Sequence, residues 1–148
     1  MNRPSELDVL MQVAWAWSQR ATCSRLSVGA LIVQDGRILS HGYNGAPVGM
    51  PHCDHSPEEI GFGLESSGGC TNAVHAESNA IYYAARRGRA TDGAMLICTH
   101  QPCKKCAEAI INAGISRVLY QEPYRDESGI LLLEAAGVQV GIYEPPST

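Results

Sequence analysis

The sequence lacks a basic excess, an apolar run of membrane length and any internal repeat. Eleven Lys and Arg stand against fifteen Asp and Glu, a formal charge of −4 over 148 residues. The basic residues form no clustered stripe either, which argues against a polynucleotide partner but leaves a single mononucleotide open. No stretch approaches the ~18 apolar residues that a membrane span requires. The opening Met1-Asn2-Arg3-Pro4-Ser5-Glu6 leads into an acidic, amphipathic stretch without an apolar h-region, so a cytoplasmic protein (in a host cell, if the source is viral) is expected. A disordered composition is missing as well: 45% of the residues are hydrophobic and only 18% charged. One domain covering 1–148 is therefore expected.

What the sequence does have is six cysteines, at positions 23, 53, 70, 98, 103 and 106. In a chain with no secretory signal they are better read as metal ligands or free thiols than as disulfides.

Local patterns predict the elements around them. Ser5-Glu6-Leu7-Asp8 has the form of a capping box, and Val9, Leu10, Val13 and Trp17 then repeat at helical spacing to about Gln19. Trp15 and Trp17 read as packing residues. Val28–Val33 and Arg37–His41 read as strands joined by Asp35-Gly36, a strong hairpin signal. A long loop rich in Gly, Pro, Ser and Asn runs from Tyr43 to about Asn72, and a structureless stretch of that length has to be functional or fastened down. Helices are predicted from His75 to Arg87, Cys103 to Ala113 and Gly129 to Ala136. Strands fall at Ala94–Thr99, Arg117–Tyr120 and Val138–Tyr143. The order α-β-β-α-β-α-β-α-β implies an α/β fold, a mixed sheet with helices packed on its faces.

Two short motifs carry chemistry: His75-Ala76-Glu77 and Pro102-Cys103-Lys104-Lys105-Cys106. Cys103 and Cys106 lie three apart on one helical turn, so both sulfurs reach a single ion, and His75 supplies a third ligand from the start of another helix. Thiolates with imidazole favour zinc, and three protein ligands leave the open position of a catalytic site. Glu77 stands beside the metal without needing to bind it, where a carboxylate can move protons. Either motif alone is weak. Together, in this order and each after a plausible strand, they match the signature of the zinc nucleobase deaminases.

The sequence resembles the cytidine deaminase superfamily, and within it the deoxycytidylate (dCMP) deaminases, over Thr22 to about Val140. The segments that carry the resemblance are Thr22 to Ala30, Gly42-Tyr43-Asn44-Gly45-Ala46-Pro47, His75 to Ile81, and Ala113-Gly114-Ile115. It implies a three-layer fold on a five-stranded mixed sheet, with zinc on His75, Cys103 and Cys106 and Glu77 as the proton shuttle. The implied reaction is hydrolysis of dCMP to dUMP and ammonia, supplying thymidylate synthesis. Asn44 matches a family asparagine that contacts the sugar. Arg25 and Arg125 are candidates for the 5′-phosphate, since arginine matches phosphate oxygens bidentately, though each reads equally as a solvated surface residue. Tyr124 is either a residue that closes over base or sugar, or an ordinary core tyrosine. The resemblance further implies a homohexamer activated by dCTP and inhibited by dTTP, with Gly42, Tyr43 and Gly45 near that effector site.

Cys23, Cys53 and Cys70 remain, with His52 and His55 flanking Cys53. Some dCMP deaminases carry a second zinc, and a structural ion on these three cysteines would fasten the long loop. His55 is preferred to His52 as the fourth ligand because alternate side chains in Cys53-Asp54-His55 converge. The competing reading is buried free thiols, and Cys98 reads as core. Two other functions stay open. One is another superfamily deaminase, acting on cytosine, cytidine, guanine, a riboflavin precursor or tRNA adenosine. The other is a non-catalytic zinc-binding module, which would have no use for Glu77.

Overall fold

A computed structural model describes residues 2–22, 26–50 and 73–147. Helix α1 (Glu6–Ser18) opens on the expected capping box: Asp8 N–H donates to Ser5 Oγ at 3.1 Å, and Ser5 N–H to Asp8 Oδ2 at 2.8 Å. Strands β1 (Gly29–Gln34) and β2 (Arg37–Tyr43) pair antiparallel. The turn between them has Asp35 at φ 51° and Gly36 at φ 73°, the left-handed pair that a two-residue hairpin demands. Next follow α2 (Ala76–Arg86), β3 (Met95–His100), α3 (Lys104–Asn112), β4 (Arg117–Glu122), α4 (Ser128–Ala135) and β5 (Gln139–Ile142).

The sheet runs β2-β1-β3-β4-β5; β1 is antiparallel to both its neighbours, whereas β3, β4 and β5 are parallel. This is the α/β, five-stranded mixed sheet expected, with helices on both faces. Side chains alternate across β1. Leu31 and Val33 join Leu10, Met11 and Ala14 of α1 on one face. Ala30 and Ile32 join Ala76, Ala80, Ala84, Ala107, Ile110 and Leu133 of the other three helices on the opposite face.

The structure shifts some details. Helix α1 buries Leu10, Met11, Ala14 and Ser18, while Val9 is 46% exposed, so the buried stripe lies one position on from the sequence reading. Strand β2 extends two residues further, to Tyr43. The stretch after it closes on itself at a neck: Gly45 and Val74 exchange both backbone hydrogen bonds, at 3.1 and 2.7 Å. That bridge is one fastening for the long loop, supplied by backbone alone. Among the described residues no helix is long and apolar enough to cross a membrane.

Candidate active site and metal centre

The two motifs meet because two helices start at the same place. His75 is the N-cap of α2 and Cys103 the N-cap of α3, both with extended backbone and neither using its side chain as a cap. Their side chains are thus available at helix N-termini, where the dipoles favour anionic sulfur. Cys106 follows one turn along α3 and is buried. Helix α2 reaches this position by lying close on β2. A Cβ at Gly42 would run into the Ala76 carbonyl oxygen and stand 2.5 Å from Ala80 N. Asn79, one turn after His75, donates from Nδ2 to the Tyr43 carbonyl at 2.8 Å and ties the end of β2 to the same helix.

His75, Cys103 and Cys106 offer three ligand atoms that all lie within 4.8 Å of one another. His75 Nδ1 is 3.2 Å from Cys106 Sγ and 3.5 Å from Cys103 Sγ. Tetrahedral zinc with Zn–N of ~2.0–2.1 Å and Zn–S of ~2.3 Å sets such atoms about 3.5 Å apart. The donor set therefore fits zinc both in chemistry and in spacing, and three ligands leave a fourth position for a reactant. A hydrogen bond from the Cys106 thiol, more than any other influence, pulls Cys103 down to about 4. Cys106 is pushed up for the complementary reason, as the donor of that bond, and by burial.

Glu77 is only 4% exposed, an unusual depth for a carboxylate. Burial raises its pKa, opposed by its own backbone amide, by His75 and by a hydrogen bond from Cys106. Its second thiol partner is Cys98, which is fully buried on β3 and whose S–H also bonds the Glu77 carboxylate. Cys98 thus packs in the core as its strand position implied, yet touches the acid. Nothing in the local sequence distinguishes the two situations, because the contact spans β3 and α2.

The remaining candidates divide. Asn44 is buried, and its side chain is engaged by backbone: Oδ1 accepts from Val28 N–H at 2.7 Å and Nδ2 donates to the Leu26 carbonyl at 2.5 Å. It pins the approach to β1 beside the neck. Tyr124 is 68% exposed, so the reading as a core tyrosine is wrong; the loop after β4 turns its ring outward. Arg125 is exposed beside it. Gly42, Tyr43 and Gly45 border a cavity of about 610 Å³ that also has His41, Asn79, Tyr83, Arg87 and Arg89 in its walls. Arg25, and with it Cys23, Cys53, His55 and Cys70, lies outside the described residues, as does His52.

Sequence reading assigned no role to Gln101, although it adjoins the zinc-motif proline. Its backbone N–H donates to the Glu122 carbonyl at 2.9 Å. Its side-chain Oε1 accepts from Tyr124 N–H and its Nε2 donates to the Asp126 carbonyl, each at 2.9 Å.

A mixed α/β sheet that brings an imidazole, two thiols and a buried carboxylate together at two helix N-termini defines a zinc-hydrolase type of site. The comparisons narrow the class. The model of the cytidine and deoxycytidylate deaminase zinc-binding region matches residues 4–122, and the chain belongs to that family. It is 40% identical over 141 residues to ComE operon protein 2 of Bacillus subtilis, covering 95% of this chain and 72% of that protein. Deoxycytidylate deaminase of Enterobacteria phage T2 is 34% identical, with 90% of this chain and 89% of that one covered. Among solved structures, dCMP deaminase of the cyanophage S-TIM5 in complex with dCMP and dUMP superposes with a TM-score of 0.82. That pair is 34% identical over 97% of this chain and all of that one.

Proposed function

We propose that the protein hydrolyses dCMP to dUMP and ammonia, with His75, Cys103 and Cys106 holding zinc. The observation that carries this reading is the buried Glu77 carboxylate beside three ligand atoms within 4.8 Å of one another. Zinc, when bound, supplies Lewis-acid activation of the water nucleophile. Glu77 takes the proton that water gives up and delivers it to N3 as the oxygen bonds C4; it then moves the remaining proton of that oxygen to the amine, so that the C4–N bond breaks and ammonia leaves. The burial of Glu77 and its contact with the Cys98 thiol suit a group that must both hold and release a proton. A purely structural metal site needs no such acid, which disfavours the binding-module reading.

The nucleotide phosphate is assigned to the loop after β4, with Arg125 as its partner and Tyr124 over the sugar or base; Arg25 is the second phosphate candidate. Parallel strands β3 and β4 end at the same edge of the sheet, and ligands of α/β sheets bind beyond such ends. Asn44 serves the sugar side by fixing the chain that leads into β1. Two finer readings go with this one. The cavity bordered by Gly42, Tyr43 and Gly45, with Arg87 and Arg89 in its wall, has the charge for dCTP or dTTP as effectors of a hexamer. Cys23, Cys53, Cys70 and His55 have the ligand chemistry of a second, structural zinc.

Ammonia release from dCMP, dCTP, deoxycytidine and cytosine, with and without added dCTP or dTTP, tests the reading. Turnover of dCMP far above deoxycytidine is expected, because only the former offers a phosphate. Equal turnover of the two would move the assignment to a nucleoside deaminase. Metal analysis that finds a single zinc per chain would remove the second ion.

A further inference from the structure

The loop after β4 is keyed to the turn that carries Cys103, and the key is Gln101. Three hydrogen bonds from this one residue reach Glu122, Tyr124 and Asp126, all at 2.9 Å, so that the loop from 122 to 126 is gripped at every second residue. Both polar ends of the amide are used, one as acceptor and one as donor. A second contact fixes the far end of the loop. Gly129, in the first turn of α4, lies so close that a Cβ there would stand 2.5 Å from the Pro102 carbonyl oxygen and 2.9 Å from the Cys103 carbonyl carbon. Asp126 completes the segment by accepting Ser128 N–H at 2.9 Å. Tyr124 and Arg125 therefore sit on a strap whose ends are held by the two residues before Cys103 and by Cys103 itself. Both side chains are exposed, so the strap's backbone is what fixes their position.

We infer that Gln101 is a positioning residue for nucleotide specificity: its side-chain amide holds Tyr124 and Arg125 in register with Cys103, so that the phosphate is met when the base is at the acid. This deepens the assignment of Arg125 to the phosphate and rests on it. Losing the two side-chain hydrogen bonds frees the strap while the backbone bond to Glu122 and the packing of Gly129 remain. The effect falls on substrate affinity rather than on chemistry.

Kinetics of Gln101→Ala, Gln101→Glu, Arg125→Ala and the Gln101→Ala/Arg125→Ala pair, on dCMP and on deoxycytidine, test this in the zinc-loaded full chain. Gln101→Ala is expected to raise KM for dCMP about 3- to 10-fold, the scale of one or two lost hydrogen bonds, with kcat and zinc content held. Deoxycytidine turnover, which has no phosphate contact to lose, falls less, so the preference for dCMP narrows. Gln101→Glu keeps the acceptor for Tyr124 N–H and recovers part of the affinity. The double variant shows no smaller dCMP preference than Arg125→Ala alone, since the two residues act on the phosphate in series. If Arg125→Ala leaves the dCMP preference intact, the phosphate assignment fails and takes this inference with it. If Arg125→Ala narrows the preference but Gln101→Ala does not, or if the two effects add, the positioning role alone is overturned. A Gln101→Ala variant that loses zinc and kcat together would assign Gln101 to the ligand turn instead.

Discussion

The two faces of the sheet are built from different side chains. Between α1 and the sheet lie large residues, Leu10, Met11, Leu31, Val33, Ile97 and Leu119, rimmed by Trp15 and Trp17. Polar tips on that face find partners: Trp15 Nε1–H donates to Gln121 Oε1 at 2.7 Å, and Gly29 N–H donates to Thr99 Oγ1 at 3.1 Å. On the other face α2 and α3 bring Ala76, Ala80, Ala84 and Ala107 against Ile32, Leu96, Cys98 and Val118 of the strands. Small side chains let those helices approach the strands and each other, which is how two helix N-termini come to share one cluster of ligands. Large residues of α1 stabilise the fold on one face; on the other, the small residues of α2 give up some of that burial and make room for chemistry.

The sharpest break of this comparison is a pair of changes on the alanine face. Cys106→Ala removes the buried ligand and is expected to abolish both zinc binding and deamination. Glu77→Gln keeps the shape and an acceptor for Cys98 and replaces none of the three ligands, so zinc stays, but kcat falls by roughly 10²- to 10⁴-fold with the loss of the proton carrier. Metal content and turnover measured on the two variants separate the roles, and a fully active Glu77→Gln protein would remove Glu77 from the reaction. On the other face, Leu31→Ala should cost ~2–5 kcal/mol in unfolding free energy while the folded fraction keeps its zinc and its KM. A lost metal site in Leu31→Ala would mean that the two faces are not separable.

Much of this division was legible in the sequence. The hairpin at Asp35-Gly36, the capping box at Ser5 and the strand–helix alternation rest on interactions within a few residues, and those the chain spells out locally. The ligand set was legible for the same reason, since Cys103 and Cys106 share one turn and His75 opens a helix. Contacts that join distant strands were not. Cys98 meets Glu77 across β3 and α2, Gln101 grips a loop more than twenty residues on, and the neck pairs Gly45 with Val74. Each is fixed by sheet order, and no local period reports it. The buried stripe of α1 was placed one residue off because Val9 looks as apolar as Leu10, and only packing against β1 decides which is covered.

The smallest expected effect concerns how the α1 face treats its histidines. His41 stacks on Trp17 with ring centroids 3.7 Å apart and planes 9° from parallel. His100 leans on Trp15 at 5.4 Å, and its Nδ1 lies 2.7 Å from Thr99 Oγ1. Burial lowers the pKa of both below 6.5, for His100 against an opposing pull from Glu122. A histidine held neutral by the fold binds its proton more readily when unfolded. Above the unfolded value both states are neutral and stability is unaffected. As pH falls through about 6.5 the unfolded chain takes up protons first, and stability drops until the folded imidazole titrates too. His75 lies apart from this face, with Cys106 and Cys103 of the metal cluster as its partners. Thermal unfolding of the zinc-loaded protein at about pH 7.5 and about pH 5.5 should therefore show an acid-side fall in Tm of which His41→Asn removes a part. His75 is present in parent and variant alike, so its contribution cancels in the difference. Parallel Tm curves for the two proteins would mean that stacking on Trp17 stabilises the protonated ring as much as burial disfavours it, and that the α1 face is indifferent to the charge it covers.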